Sequence, residues 1–262
     1  MIADVIDPKA LQAALSSPLA GPVEWHAQVG STNDLAAERA RSGAPEGTLV
    51  GADHQTAGRG RRGREWRDSG GSDIAMSLVL RPSEARAASL LSLLVALGVA
   101  EGLAGLIEER VELVWPNDVV ANGRKLSGIL CELAWEGGSV QWVVAGVGIN
   151  VRPVPQVADA RWQPGSLRES GFMGSRHDVV VAVLRAIGRQ YGMWQAIGSA
   201  GVVSGFSARD PLKGRRIEVD LGDGSAPVSG EAAGIDPQGR LRVLTPEGER
   251  QFAVGEVVRV DH

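Results

Sequence analysis

Two apolar, strand-like segments, Leu49 to His54 and Ile74 to Leu80, are separated by a stretch with no hydrophobic period, His54 to Gly70. A loop of this length without secondary structure is uncommon in a compact domain and belongs to a binding or catalytic site, or orders only on binding. At its centre lies Gly58-Arg59-Gly60-Arg61-Arg62-Gly63-Arg64-Glu65-Trp66-Arg67, five arginines against one glutamate in a chain of net charge −4. The glycines let the backbone approach an anion closely. Arginine forks match carboxylate and phosphate oxygens, and the Trp66 indole can cover a ring. Two other readings stand beside anion binding: a solvated charged loop, and a patch for single-stranded nucleic acid.

The rest of the 262-residue chain narrows the choice. An acidic balance excludes a polycationic nucleic-acid or membrane binder. The single cysteine, Cys131, cannot form an internal disulfide, and no Cys/His cluster has zinc spacing, which suits a reducing cytoplasm. Cys131 sits in a strand pattern and reads as packed. No signal peptide is recognised, and the apolar region Leu90 to Ile107 is broken by Ser92 and Glu101, as in a buried helix.

The patterns predict helices over residues 7–15, capped by Asp7 with Pro8 first, and from Asn33 to Arg41, with cap oxygens offered by Ser31, Thr32 and Asn33 and a stop at Gly43. Further helices are expected from Ala85 to Arg110 and, as the last one, from His177 to Gln195. Strands are expected at Leu113 to Trp115, Leu126 to Trp135 and Val140 to Val147, the last two as a hairpin. From about Arg209 short strands alternate with Gly/Asp/Pro turns, the texture of a small five- or six-stranded barrel. The domain boundary falls near Ala208, giving units 1–208 and 209–262.

Two further constellations carry chemistry. Trp115-Pro116-Asn117-Asp118 reads as a rigid turn presenting two polar side chains, or as an ordinary turn. Soon after it comes Lys125, one of three lysines beside 24 arginines. A compact ammonium next to apolar strand residues suits a reacting carboxylate or phosphate, with chance retention as the alternative. Gly146-Val147-Gly148-Ile149-Asn150 has a Gly-x-Gly but no helix follows, so it is a poor dinucleotide site and its glycines serve close packing. No catalytic elbow, Walker loop or zinc-protease motif occurs.

Taken in order, Ser31-Thr32-Asn33, residues 54–66, residues 115–118, Arg124-Lys125-Leu126-Ser127-Gly128-Ile129-Leu130 and residues 146–151 together resemble a biotin–protein ligase, from about residue 24 to the C-terminus. The resemblance implies an α+β, class II synthetase-like catalytic domain with a mixed central sheet flanked by helices, followed by a small SH3-like β-barrel. It implies that biotin and ATP, carried with Mg²⁺, form biotinyl-5′-AMP, and that a lysine of a biotin carboxyl carrier domain then takes the biotinyl group. On that resemblance Ser31, Thr32, Asn33 and Gln55 hold biotin. Arg59, Gly60 and Arg61 close over it, with Arg61 guarding the intermediate, and Lys125 lies at the reacting centre, so Lys125 and Arg61 are the catalytic pair. Arg62, Arg64, Trp66, Asn117, Asp118 and Asn150 fall on the nucleotide side, with no dedicated metal ligand.

One departure is Val114, where the family commonly has a basic residue. Too few residues precede the similar segment for a DNA-binding domain, so no operator binding and no membrane association are expected, in a cytoplasmic monomer or homodimer. A lipoate or octanoate ligase or transferase, or a weakened biotin-binding protein, is the alternative.

Overall fold

Seven segments, β1 (Val23–Val29), β2 (Leu49–Gln55), β3 (Ile74–Leu80), β4 (Val111–Val114), β5 (Asp118–Ala121), β6 (Arg124–Glu136) and β7 (Ser139–Ile149), pair into one sheet in the order β1-β2-β3-β7-β6-β5-β4. The computed structural model describes residues 4–15, 18–66, 71–82, 88–137, 139–157 and 160–260. Only β1 and β2 run parallel. A parallel pair needs a crossover, supplied by the helix Thr32–Arg41. The other neighbours are antiparallel and joined along long ladders, β6 with β7 the longest.

Both faces of the sheet are covered, so β3 is buried at every residue. Side chains alternate between faces. Val50, Val79 and Val144 pack against Ala36 and Ala40 of the crossover helix. Leu49, Leu78, Leu80, Val143 and Ala145 face the larger core, built on the helices Ala88–Ala104 and Arg176–Ile197. In chain order the helices are α1 (Pro8–Ala14), α2 (Thr32–Arg41), α3 (Ala88–Ala104), α4 (Arg176–Ile197) and α5 (Ala200–Ser207). Helices α3 and α4 approach closely because Gly98 and Gly102 have no side chain: a Cβ at either would lie 2.6–2.7 Å from the Cα of Ile187 or Val183.

Strands β8 (Arg216–Asp220), β9 (Val228–Ile235), β10 (Leu241–Thr245), β11 (Gly248–Phe252) and β12 (Glu256–Val260) form a second sheet, antiparallel, in the order β11-β10-β9-β8-β12. Among the described residues its edge strands β11 and β12 do not pair, and the antiparallel order is consistent with the small barrel-like domain expected. Its apolar face, with Val219, Val243 and Phe252, is continuous with the main core. Trp115, buried, donates from Nε1 to the carbonyl of Gly239 at 3.1 Å and fastens the two units together.

The sequence reading missed β1, β5 and α5. Strand β1 is half exposed and its Val-Glu-Trp-His-Ala-Gln-Val run alternates weakly. Strand β5 has four residues, and α5, not α4, is the last helix. Helix α3 ends at Ala104, not Arg110, since Leu106 and Ile107 both donate back to the Leu103 carbonyl in a closing turn. Its expected first residues, 85–87, and Arg67 to Gly70 of the loop lie outside the described residues. The caps of α1 and α4 follow local chemistry: Asp7 accepts from the Lys9 amide, and Ser175 with Asp178 forms a capping box. For α2 the expected cap is absent, because Ser31 makes no side-chain cap bond.

Candidate active site

The missing cap is supplied from another strand. Gln55, at the end of β2, accepts on Oε1 from both the Thr32 amide, at 2.8 Å, and Thr32 Oγ1, at 3.0 Å. Ser77 of β3 lies 2.8 Å from Thr32 Oγ1 and 2.6 Å from Asn33 Oδ1. Asn33 Nδ2 donates to Glu132 Oε2 at 2.6 Å and to the Leu130 carbonyl. Thr32 and Asn33 are buried, so this chain of bonds holds their donors and acceptors in fixed roles, and Ser31 is buried beside them. Ser77 and Glu132 were not anticipated. A serine inside the apolar run Ile-Ala-Met-Ser-Leu-Val-Leu was the available signal for the first.

Glycines form the floor. A Cβ at Gly146 would stand 2.2 Å from Asn33 Oδ1, and one at Gly148 would stand 2.3 Å from the Trp66 ring. At Gly128 it would meet both Lys125 Nζ and Trp66 at 3.2 Å. The Gly-x-Gly segment thus works through close approach, as expected. Trp66 lies against the sheet with Lys125 Nζ 6.0 Å from the ring centroid, and its Nε1 is buried without a partner.

The arginine–glycine loop folds into a compact turn over residues 58–66. Gly60 donates to the Arg64 carbonyl at 2.7 Å, Trp66 to that of Gly58, and residues 61–63 form one 3₁₀ turn. Its arginines point to different partners. Arg59 makes a two-pronged bond to Asp34 of α2 at 2.6 and 2.7 Å and reaches Glu132 at 3.5 Å. That pairing holds Asp34 below the usual carboxylate range. Arg64 bonds Glu256 of β12. Arg61 is half-buried, 3.5 Å from Asn117 Oδ1, and burial pushes its guanidinium down from its ordinary value.

Arg62 is the exception. In the left-handed region at φ 55°, it turns away from the cavity and bonds the side chain and carbonyl of Asp220 at 2.8 and 2.7 Å. Expected on the nucleotide side, it instead ties the loop to the C-terminal sheet.

Lys125 is held from every side. Its amide donates to the Gln163 carbonyl, while its own carbonyl accepts from Gly165 and from Asn150 Nδ2 at 3.1 Å. Its Nζ is paired with Asp118 at 2.7 Å. Asn150, buried, also donates to the Gly165 carbonyl. Asn117 Nδ2 donates to the Ile129 carbonyl at 2.7 Å and locks the turn onto β6. Both asparagines therefore set the main chain around the lysine. Val114 is buried in β4 and makes one wall of the cavity apolar.

These groups line one cavity of about 480 Å³: Ser31, Thr32, Asn33, Gln55, Arg59, Gly60, Arg61, Arg64, Trp66, Asn117, Asp118, Lys125 and Asn150 all reach it. Sequence reasoning missed Arg161, Trp162 and Glu256 on its wall. A second depression, of about 450 Å³ between Leu19 and α4, holds none of this chemistry. Cys131, half-buried in β6, has its thiol pushed up to about 11 by burial, as for a packed rather than a reactive cysteine. Chemically, the cavity offers fixed hydrogen-bonding groups at one end and cations beside an aromatic plane at the other.

Comparison with known proteins agrees with that division. Residues 25–150 match the biotin/lipoate A/B protein ligase family and residues 214–260 match the biotin protein ligase C-terminal domain. The chain is 37% identical to the biotin–[acetyl-CoA-carboxylase] ligase of Mycobacterium tuberculosis, over 89% of this chain and 87% of that protein. It is 32% identical to the bifunctional ligase/repressor of Bacillus subtilis, over 89% and 72%. The biotin protein ligase of Aquifex aeolicus, solved with biotin and ATP, superposes with a TM-score of 0.77 at 27% identity, covering 92% of this chain and 98% of that one. By sequence and by fold, the chain belongs to the biotin protein ligase family.

Proposed function

We propose that this ligase runs both of its half-reactions in the 480 Å³ cavity, with Lys125 at the reacting centre. A biotin carboxylate oxygen attacks the α-phosphorus of ATP, the bond to the β-phosphate breaks, and pyrophosphate leaves. The ε-amine of a lysine on the biotin carboxyl carrier domain of acetyl-CoA carboxylase then attacks the acyl carbon of biotinyl-5′-AMP and AMP departs. The enzyme itself needs no covalent nucleophile. Fixed cations and dipoles at the developing charge lower the barrier.

The ureido head of biotin presents both donors and an acceptor, which suits the fixed network of Thr32, Asn33 and Gln55, with Ser31 on the wall beside it. Arg59 and Gly60 hold the loop over that end, and Arg61 lies between the loop and Asn117 as the guard of the adenylate. Arg64, Trp66, Asn117, Asp118 and Asn150 form the nucleotide side. Arg62 takes no part in it. Among the described residues no three metal-ligating side chains converge. Asp118 and Glu256 are engaged by Lys125 and Arg64. Mg²⁺ enters as part of the ATP substrate. Residues 1–208 serve as the catalytic unit and 209–262 as the C-terminal one. We place the enzyme in the cytoplasm, as a monomer or homodimer. No described helix is long and apolar enough to cross a membrane.

The observation that carries this reading is the Lys125–Asp118 pair at 2.7 Å, gripped by Asn150 and facing the glycine floor on which Trp66 lies. Radiolabelled biotin, ATP–Mg²⁺ and an apo carrier domain test it. Transfer of label to the carrier is the expected result, with labelled lipoate giving none. Transfer of lipoate instead of biotin, or no transfer of either, overturns it.

A further inference from the structure

Among the described residues five cations line the cavity: Arg59, Arg61, Arg64, Lys125 and Arg161. Three of them already face carboxylates, Arg59 on Asp34, Arg64 on Glu256 and Lys125 on Asp118. Arg61 has only its long contact to Asn117. Arg161 has less still. Its Nη1 donates to the Val257 carbonyl at 2.6 Å, its guanidinium lies 4.7 Å from the Trp162 ring centroid, and its Nη2 is buried with no hydrogen-bond partner among the described residues. A guanidinium group removed from water with an open donor is costly. Here the cost shows in acidity: burial pushes Arg161 down to about 10, against the pull of Asp118 and Glu256.

Such a residue is ready for an anion. Arg161 stands two residues before Gln163, whose carbonyl grips the Lys125 amide, so its segment is tied to the strand that carries Lys125. Val114, Trp115 and Pro116 line the same cavity and lower the local dielectric around the charges. A nucleoside triphosphate brings about four negative charges, and most of the lysine charge is answered by Asp118. The departing phosphates gather charge as the α–β bond breaks, and need an uncommitted fork of donors.

We propose that Arg161 binds the phosphates that leave as pyrophosphate, acting as a phosphate-contacting residue of the adenylation step. The inference rests on the reading of the cavity given above and extends it to a residue that no motif marks. Its open donor takes a β- or γ-phosphate oxygen while Nη1 stays on Val257, so the anion also fastens the 160–162 segment to β12.

The experiment compares the full-length protein with Arg161→Gln and Arg161→Lys. Calorimetry measures binding of inorganic pyrophosphate and of biotin separately, and steady-state assays measure KM for ATP. Arg161→Gln is expected to weaken pyrophosphate binding and raise KM for ATP at least ~10-fold, with biotin affinity held within about twofold. Arg161→Lys keeps the charge but loses the fork, and should fall between. Unchanged pyrophosphate binding in Arg161→Gln overturns the inference. So does an equal loss of biotin and pyrophosphate binding, which would assign Arg161 to the Val257 contact alone. If Arg161→Gln does not fold, Arg161→Lys decides, and wild-type pyrophosphate affinity in it counts against the proposal. A wild-type protein that binds pyrophosphate through Arg161 but makes no biotinyl-5′-AMP would defeat the ligase reading and leave this one standing.

Discussion

The Lys125 carbonyl accepts from the Gly165 amide and the Asn150 side chain, its amide donates to Gln163, and its Nζ has an ion pair, so its ammonium is fixed before any substrate arrives. Preorganised charge of this kind lowers a barrier because nothing reorganises when charge develops. Lys125→Ala should therefore cut adenylation by at least ~10²-fold, measured as ATP–pyrophosphate exchange, and a loss under tenfold would refute that role. The glycine floor makes a second residue-scale prediction. Gly146→Ala puts a methyl 2.2 Å from Asn33 Oδ1 and must push Asn33 off Ser77 and Glu132. Biotin affinity is expected to fall at least ~10-fold, in line with truncating hydrogen bonds inside a dry site, while the circular dichroism spectrum stays as in the wild type. Retained affinity would show that the network can rearrange around the methyl.

At the scale of elements, the site depends on α3 and α4 holding the far face of the sheet. Their contact is backbone against backbone at Gly98 and Gly102. A Gly98→Ala change raises helix propensity, which alone would stabilise by up to about 1 kcal/mol. The Cβ would lie 2.6 Å from the Ile187 Cα, however, a distance no side-chain rotation relieves. Overpacking wins, and urea unfolding should show a net loss of about 1–3 kcal/mol. A more stable variant would mean that the helices can separate without penalty. The element scale also explains which parts were readable in advance. α1 and α4 carry caps within three residues of their starts, and β3, β6 and β7 are long apolar runs. β1 is half exposed and takes its strand character from pairing with β2, some 26 residues on. β5 is only four residues long, too short to show a period, and pairs with its sequence neighbours β4 and β6.

For the whole molecule, the contact between the two units is the sensitive part. Asp210, just before the C-terminal sheet, accepts from the Leu212 amide on Oδ1, while Oδ2 is buried without a partner. Burial, with Glu112 nearby, raises its carboxyl from 3.8 to about 6, against the pull of Lys213. The native state then holds a proton that the unfolded chain has released, so stability is greatest below the unfolded value and falls as pH rises toward 6. Asp210→Asn removes this loss. Thermal melts of the variant should show a smaller drop in Tm between about pH 4 and 6 than the wild type, and parallel curves would exclude Asp210 as the cause. Across the same interface, Arg62 and Arg64 reach Asp220 and Glu256, so the loop over the cavity is fastened by the C-terminal sheet.

The sequence by itself determined the features that depend on chemical identity and short range: an aperiodic, cationic loop between two strands, a rare lysine after a Trp-Pro-Asn-Asp turn, a glycine-rich strand end, and helix starts with their own caps. Those signals pointed to thirteen residues that line the cavity, while Arg62 lies away from it and Arg161, Trp162 and Glu256 carried no signal. Tertiary structure alone decided where each arginine went. Arg62 and Arg64 find partners 158 and 192 residues away, and the cap of α2 comes from Gln55, 23 residues on. Only tertiary structure, too, brought Arg161 beside Lys125 with an unanswered donor. A guanidinium looks the same in any sequence. Whether its charge is solvated, paired or held dry for a ligand depends on what the fold packs around it.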